Sequence, residues 1–124
     1  CYEAALEIDP EIILVVLAAT KLEEAARDLG ASYAAEIFAD RAYNDDATLV
    51  DRRLPGAMIH DAGQAASRMV EMVTSGAILT ASGRRIDTRI DTICVHGDSP
   101  EALGIAKAVR AGLERAGVTV EAVT

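Results

Sequence analysis

Seven consecutive apolar residues, Ile12-Ile-Leu-Val-Val-Leu-Ala18, are followed almost at once by Thr20-Lys-Leu-Glu23. The run is rich in β-branched side chains and shows no alternation, which is the pattern of a strand covered on both faces in a parallel sheet. The Thr–Glu spacing is that of a capping box, with a hydroxyl at the N-cap and a carboxylate three residues later. Leu22, Ala25, Ala26 and Leu29 then recur at helical spacing, and Gly30 supplies a left-handed stop. A buried strand running straight into a helix is the repeating unit of parallel α/β sheets.

The rest of the chain continues the alternation. Residues 32–38 are predicted as a second strand. Residues 39–57 show no clean period and carry Asp40, Arg41, Asp45, Asp46, Asp51, Arg52 and Arg53, so they are expected to form a long functional or mobile loop. Asp61 and Gln64 open a helix with Ala62, Ala65, Ala66, Met69, Val70 and Val73 on its apolar face, ended by Gly76. Residues 77–80 and 84–86 read as a hairpin around Ala81-Ser-Gly83. Asp91-Thr-Ile-Cys-Val95 is predicted as a third buried strand, and Ser99-Pro100 as N-cap and first turn of a last helix. That helix presents Leu103, Ala106, Val109 or Arg110, and Leu113, with Gly117 as its stop and Val118-Thr-Val120 as a final short strand. The fold class is therefore α/β with a parallel sheet, in a single domain over residues 1–124. Three parallel strands leave their edges uncovered, so the count suggests about half of a larger α/β barrel. In such barrels the chemistry sits on loops that follow the C-terminal ends of strands.

Charge excludes some partners. Twelve basic residues against twenty acidic ones give −8, with no basic stripe for nucleic acid or an anionic membrane. The longest apolar run is eight residues, Ile12–Ala19, against the roughly 20 needed for a membrane span. No basic segment followed by an apolar one marks a signal peptide. Two cysteines, Cys1 and Cys94, are too few for a disulfide framework and point to a reduced, cytoplasmic setting. Alanine is 24 of the residues, with no Trp and one Phe, so the core is expected to use small side chains. The chain begins Cys1-Tyr2 rather than with Met, which reads as a start inside a longer protein.

Two segments carry candidate chemistry. Asp91-Thr-Ile-Cys-Val-His96-Gly-Asp98 puts an imidazole and a carboxylate at a strand exit, before a helix. His96 there suits a general base or acid, with Asp98 orienting it. The competing reading has Asp98 as a helix cap and His96 bonded to a backbone carbonyl. Ala35-Glu36-Ile-Phe-Ala-Asp40-Arg41-Ala-Tyr43 places Glu36 inside an apolar strand, where a charge needs a partner or a site. Asp40 and Arg41 follow at the strand exit, where an arginine grips a carboxylate or phosphate, and Tyr43 adds a hydroxyl. The competing reading is a structural ion pair of Arg41 with Glu36 or Asp40. His60, His96, Asp40 and Asp98 are chemically suited to a metal, but no HxH or HExxH spacing supports one. Cys94 reads as a small buried hydrophobe.

These segments, with Gly56-Ala-Met-Ile59 between them, resemble the LamB/YcsF family, in which the A subunit of the prokaryotic 5-oxoprolinase is found. The resemblance implies a parallel-strand (β/α) barrel of the glycoside hydrolase/deacetylase type, of which this chain matches about the C-terminal half. It also implies a bacterial hydrolase that opens 5-oxoproline to glutamate with ATP as co-substrate, alongside subunits B and C. Within that chemistry His96 suits the base, Glu36 or Asp98 the orienting carboxylate, and Arg41, with Asp40 and Tyr43, the grip on substrate. Self-association, a non-catalytic half-barrel module and a metal-dependent deacetylase-like hydrolase are the other readings.

Overall fold

The computed structural model describes all of residues 1–124. Its elements, in chain order, are α1 (Tyr2–Ile8), β1 (Leu14–Leu17), α2 (Lys21–Asp28), β2 (Tyr33–Phe38), α3 (Ala62–Ser75), β3 (Ala77–Leu79), β4 (Arg85–Asp87), β5 (Thr92–Cys94) and α4 (Ala102–Arg115). Strands β1, β2 and β5 form a parallel sheet in the order β1-β2-β5, and β3 and β4 form a separate antiparallel pair. The α/β class with parallel strands is as expected. No helix is long and apolar enough to cross a membrane.

The register fixes which side chains share a face. Val15 pairs with Ala34, Leu17 with Glu36, Glu36 with Thr92, and Phe38 with Cys94. Laterally paired residues point the same way, and successive residues alternate. One face therefore carries Val15, Leu17, Ala34, Glu36, Phe38, Thr92 and Cys94. The other carries Leu14, Val16, Ala35, Ile37 and Ile93. The second face is covered: Ala35 and Ile37 are fully buried in a cluster with Ile59, Ala65, Met69, Ile105, Val109 and Leu113. The first, the more open one, is only partly covered, with Val15 56% exposed, Ala34 buried and Leu17, Glu36, Phe38, Thr92 and Cys94 half-buried. This corrects the expectation that β1 and β5 are buried on both faces. Their apolar composition suits two covered faces, and here only the helices' side is covered.

Local signals set most element ends. Asp61 caps α3, its carboxylate accepting from Gln64 N–H at 2.6 Å, and Gly76 ends the helix with φ 63°. The capping box of α2 is altered. Thr20 Oγ1 accepts from Leu22 N–H, while the Glu23 carboxylate reaches one residue further back, to Ala19 N–H at 2.7 Å. Ala19 holds φ 58°, and this carboxylate fixes its backbone there. Leu22 and Leu29 are exposed, so Ala26 and Glu23 carry the buried side of α2 in place of the expected leucine stripe.

Three further expectations are corrected, and one helix is added. α4 begins at Ala102 with Glu101 as a cap that makes no side-chain bond, so Ser99-Pro100 forms a preceding turn rather than the cap. Its buried side chains are Ile105, Val109 and Leu113, and Leu103 is 66% exposed. Val118–Val120 is not a strand, having no neighbour to pair with. Tyr2–Ile8 is a helix that shows no sequence signal strong enough to announce it. Gly112 lies where α3 and α4 cross closely: a Cβ there would stand 3.2 Å from Val70 Cγ2 and 3.6 Å from Ala66 Cβ.

Candidate functional site

Both candidate segments leave the sheet at the same end and meet. Asp40 follows β2 by two residues and His96 follows β5 by two. His96 Nδ1 lies 2.8 Å from each Asp40 carboxylate oxygen. An ionised carboxylate only accepts, so Nδ1 donates to it, and in the neutral ring Nε2 then carries the lone pair, which faces the Cys94 thiol. The Asp40 side chain is nearly buried, at 9% exposure, and the His96 side chain is 24% exposed. Phe38 stacks on the imidazole with ring centroids 5.3 Å apart and 23° between planes. The ring is thus held from one edge by a carboxylate and from one face by an aromatic group. Cys94 Sγ stands 4.0 Å from His96 Nε2.

Glu36 points to the open face, level with Leu17 and Thr92 and one pleat before Phe38. Its carboxylate makes no hydrogen bond within the chain. Burial raises its pKa above the usual carboxylate range, and the nearby His96 opposes this in part. Burial, together with the negative charges of Glu36 and Asp40, pushes the Cys94 thiol up. Cys94 is half-buried beside the imidazole, not fully buried as a small core hydrophobe would be.

Several expected roles move. Asp40, not Asp98 or Glu36, orients His96. Asp98 is exposed, bonds to nothing and caps no helix. His96 is removed from the start of α4, which lies six residues on. Tyr43 is fully buried, so it cannot touch a substrate on the open face. Its hydroxyl accepts the Phe38 N–H at 2.7 Å, and burial pushes its pKa up to about 12. Arg41 is 6% exposed and does not face Glu36. Its Nη2 donates to the Val50 carbonyl at 2.8 Å, bracing the 39–59 loop. That loop is ordered by its own ladder: Ala42 N–H to Ala57 O, Val50 N–H to Ala42 O, and Ile59 N–H to Asp40 O. Asp45 ties it to the β3–β4 turn, accepting from Thr80 and Ser82 hydroxyls at 2.7 and 2.6 Å. His60 faces Glu101 at 3.9 Å, and no three of His60, His96, Asp40 and Asp98 converge.

The residues that sequence reasoning misses are Asp40 as the histidine's partner and Phe38 as its platform. Strand alternation is the available signal, since Glu36, Phe38 and Asp40 fall on one side of an extended segment.

Tyr43 supports this site from beneath. Tyr43→Phe leaves the Phe38 N–H without its acceptor at the point where the strand turns out. We expect a loss of about 1–3 kcal/mol, the cost of an unpaired buried donor, read as a lower midpoint in urea unfolding. An unchanged midpoint would show that water replaces the hydroxyl.

Comparison with known proteins gives the family. The LamB/YcsF family model matches residues 1–124. The A subunit of a 5-oxoprolinase from Ruegeria pomeroyi is 60% identical over 122 residues, covering 98% of this chain and 48% of that protein. Its counterpart from Gluconobacter oxydans is 50% identical over 121 residues, with the same two coverages. The crystal structure of a lactam utilization protein from Thermus thermophilus superposes with a TM-score of 0.86 at 40% identity, covering 98% of this chain and 48% of that one. The chain spans about half the length of the curated relatives it matches. With every residue inside the family match and the parallel α/β half reproduced in a solved relative, the chain belongs to the LamB/YcsF family.

Proposed function

We propose that the chain forms about half of the barrel of the A subunit in a bacterial, cytoplasmic 5-oxoprolinase, and that it supplies the base for lactam hydrolysis. The carrying observation is the Asp40–His96 pair on the open sheet face beside Glu36. The names of the relatives and of the solved neighbour support the substrate class. In this reading the open face of β1-β2-β5 is the barrel interior, closed by the rest of the barrel.

The chemistry suits the residues. A lactam carbonyl is a poor electrophile because amide resonance feeds electrons into it. ATP, as co-substrate, would activate the lactam oxygen, and the proposal assigns nucleotide binding to the assembly with subunits B and C rather than to any residue of this chain. Water then needs a base. His96 Nε2 has the lone pair, and Asp40 holds the tautomer and stabilises the imidazolium that forms when the proton arrives. Arg41 serves this site by fixing the loop that carries Asp40.

The test is glutamate release from 5-oxoproline by the complete assembly: this chain with the remainder of its barrel and subunits B and C. We expect release that depends on ATP and on the presence of this chain. A folded, complete assembly that leaves 5-oxoproline intact under these conditions overturns the reading.

A further inference from the structure

Opening a lactam ring takes more than a base. When water adds to the carbonyl carbon and the C–N bond breaks, the nitrogen would leave as an amide anion unless a proton reaches it. The Asp40–His96 pair accounts for the proton removed from water and leaves the second requirement unmet.

We infer that Glu36 is the group that protonates the departing lactam nitrogen. The inference rests on the proposed function and assigns a separate step at the same site. Three observations carry it. First, Glu36 lies on the same open face as Cys94, laterally paired with Thr92 and one pleat from Phe38, whose ring stacks on His96. Second, three of its four neighbours on this face are apolar: Leu17 beside it on β1, and Ala34 and Phe38 before and after it on β2, with Thr92 on β5 the polar one. No cation neutralises it, since Arg41 turns away to the Val50 carbonyl. The ionisable groups nearest it are His96 and Cys94 from the β5 exit, with Tyr43 buried beneath the β2 exit. Third, the site holds two carboxyl groups in opposite settings. Asp40 is tied to an imidazole through both oxygens, whereas Glu36 is bonded to nothing. A carboxyl group with mostly apolar neighbours and no hydrogen bond favours its neutral, proton-bearing form. Such a division separates acid from base.

The step balances. With the lactam oxygen phosphorylated by ATP, water adds to the ring carbon and one of its protons passes to His96 Nε2. The C–N bond breaks and its electron pair takes the Glu36 proton, while the new hydroxyl loses its proton to water and becomes the carbonyl of an acyl phosphate, which a second water hydrolyses to carboxylate and phosphate. The proton on His96 then returns to the Glu36 carboxylate through water, restoring both groups.

The experiment compares two substrates in the complete assembly. One is 5-oxoproline. The other is its thiolactone analogue, whose sulfur leaves as a stable thiolate and needs no proton. For Glu36→Gln we expect turnover of 5-oxoproline to fall by about 10² or more, with turnover of the thiolactone within a few-fold of the parent. The thiolactone rate also reports that the variant is folded. Equal losses on both substrates would make Glu36 a positioning residue and overturn the inference. So would an undiminished rate on 5-oxoproline. A parent assembly inactive toward 5-oxoproline would instead sink the proposed function itself, a failure visible before any variant is made.

Discussion

His96→Ala in the complete assembly lowers turnover by about 10² or more, the usual scale for removing a general base. The expectation comes from the geometry around the ring. Asp40 bonds Nδ1 through both oxygens at 2.8 Å, and Phe38 fixes the plane, so Nε2 is presented in one direction. Removing the imidazole also leaves the nearly buried Asp40 carboxylate without a partner. That second effect bears on stability and must be separated from chemistry. Asp40→Asn makes the separation: it keeps the volume and still contacts the ring, yet weakens the hold on the tautomer. If His96 is the base, Asp40→Asn depresses kcat with KM little changed, and the paired His96→Ala, Asp40→Asn variant is no slower than His96→Ala alone, since residues acting as a unit are not additive. Turnover of folded His96→Ala within a few-fold of the parent would show that the histidine serves the fold.

The second large effect concerns the chain by itself. An isolated sample of residues 1–124 is expected to self-associate or to lack a cooperative thermal transition at low micromolar concentration. The sheet has three strands with both outer edges, β1 and β5, unpaired. Its open face exposes Val15 by 56% and leaves Leu17 and Phe38 half-covered. Unpaired edges and an apolar sheet face are templates for association. Sedimentation with a concentration series is the direct measurement. A monomer that unfolds cooperatively at those concentrations would mean that the helix-covered face alone supplies enough burial.

The parts of the fold that are legible in sequence are those fixed by neighbours along the chain. β1 and α2, the Asp61 cap with its Gly76 stop, and the β3–β4 hairpin each depend on contacts within about one or two turns of chain. The parts that are not legible depend on what lies across the molecule. Leu22 and Leu103 sit at helical spacing and read as core, but no element covers them. Val118–Val120 has strand composition and no neighbouring strand. Ser99-Pro100 has the chemistry of a helix start, yet the chain needs one more turn after β5 before α4 reaches its packing position on α3.

The site divides the same way. Glu36 stands out in sequence because a charge in Ala34-Ala-Glu-Ile-Phe-Ala39 is anomalous by itself, and strand alternation puts it with Ala34 and Phe38 on the face away from the helices. His96 stands out by its strand exit. Its partner is misread in sequence because Asp98 is two residues away and Asp40 is 56 residues away. Nearness along the chain favours the wrong carboxylate. Arg41 and Tyr43 have the chemistry of substrate contacts, and burial gives them a different task, one holding the loop and the other holding the strand end.

The Asp91 carboxylate, at the entry to β5, has a consequence for the order of folding. Its Oδ2 accepts the Ala35 N–H at 2.8 Å, its own N–H donates to the Ala35 carbonyl at 2.9 Å, and Oδ1 is held by Arg89. β1 and β2 are joined through a short helical crossover, with Leu14 opposite Tyr33. β5 must return to β2 across 56 residues. Closing the longer loop costs about 1 kcal/mol more in chain entropy by the logarithmic rule, and it must also wait for α3 and the hairpin to form. The Asp91 clamp is what rewards that closure, because it fastens β5 before the strand ladder has begun. Asp40 leaves β2 and His96 leaves β5, so the pair can meet only when β5 is docked on β2. The imidazole–carboxylate contact is therefore expected to report the docking of β5 on β2.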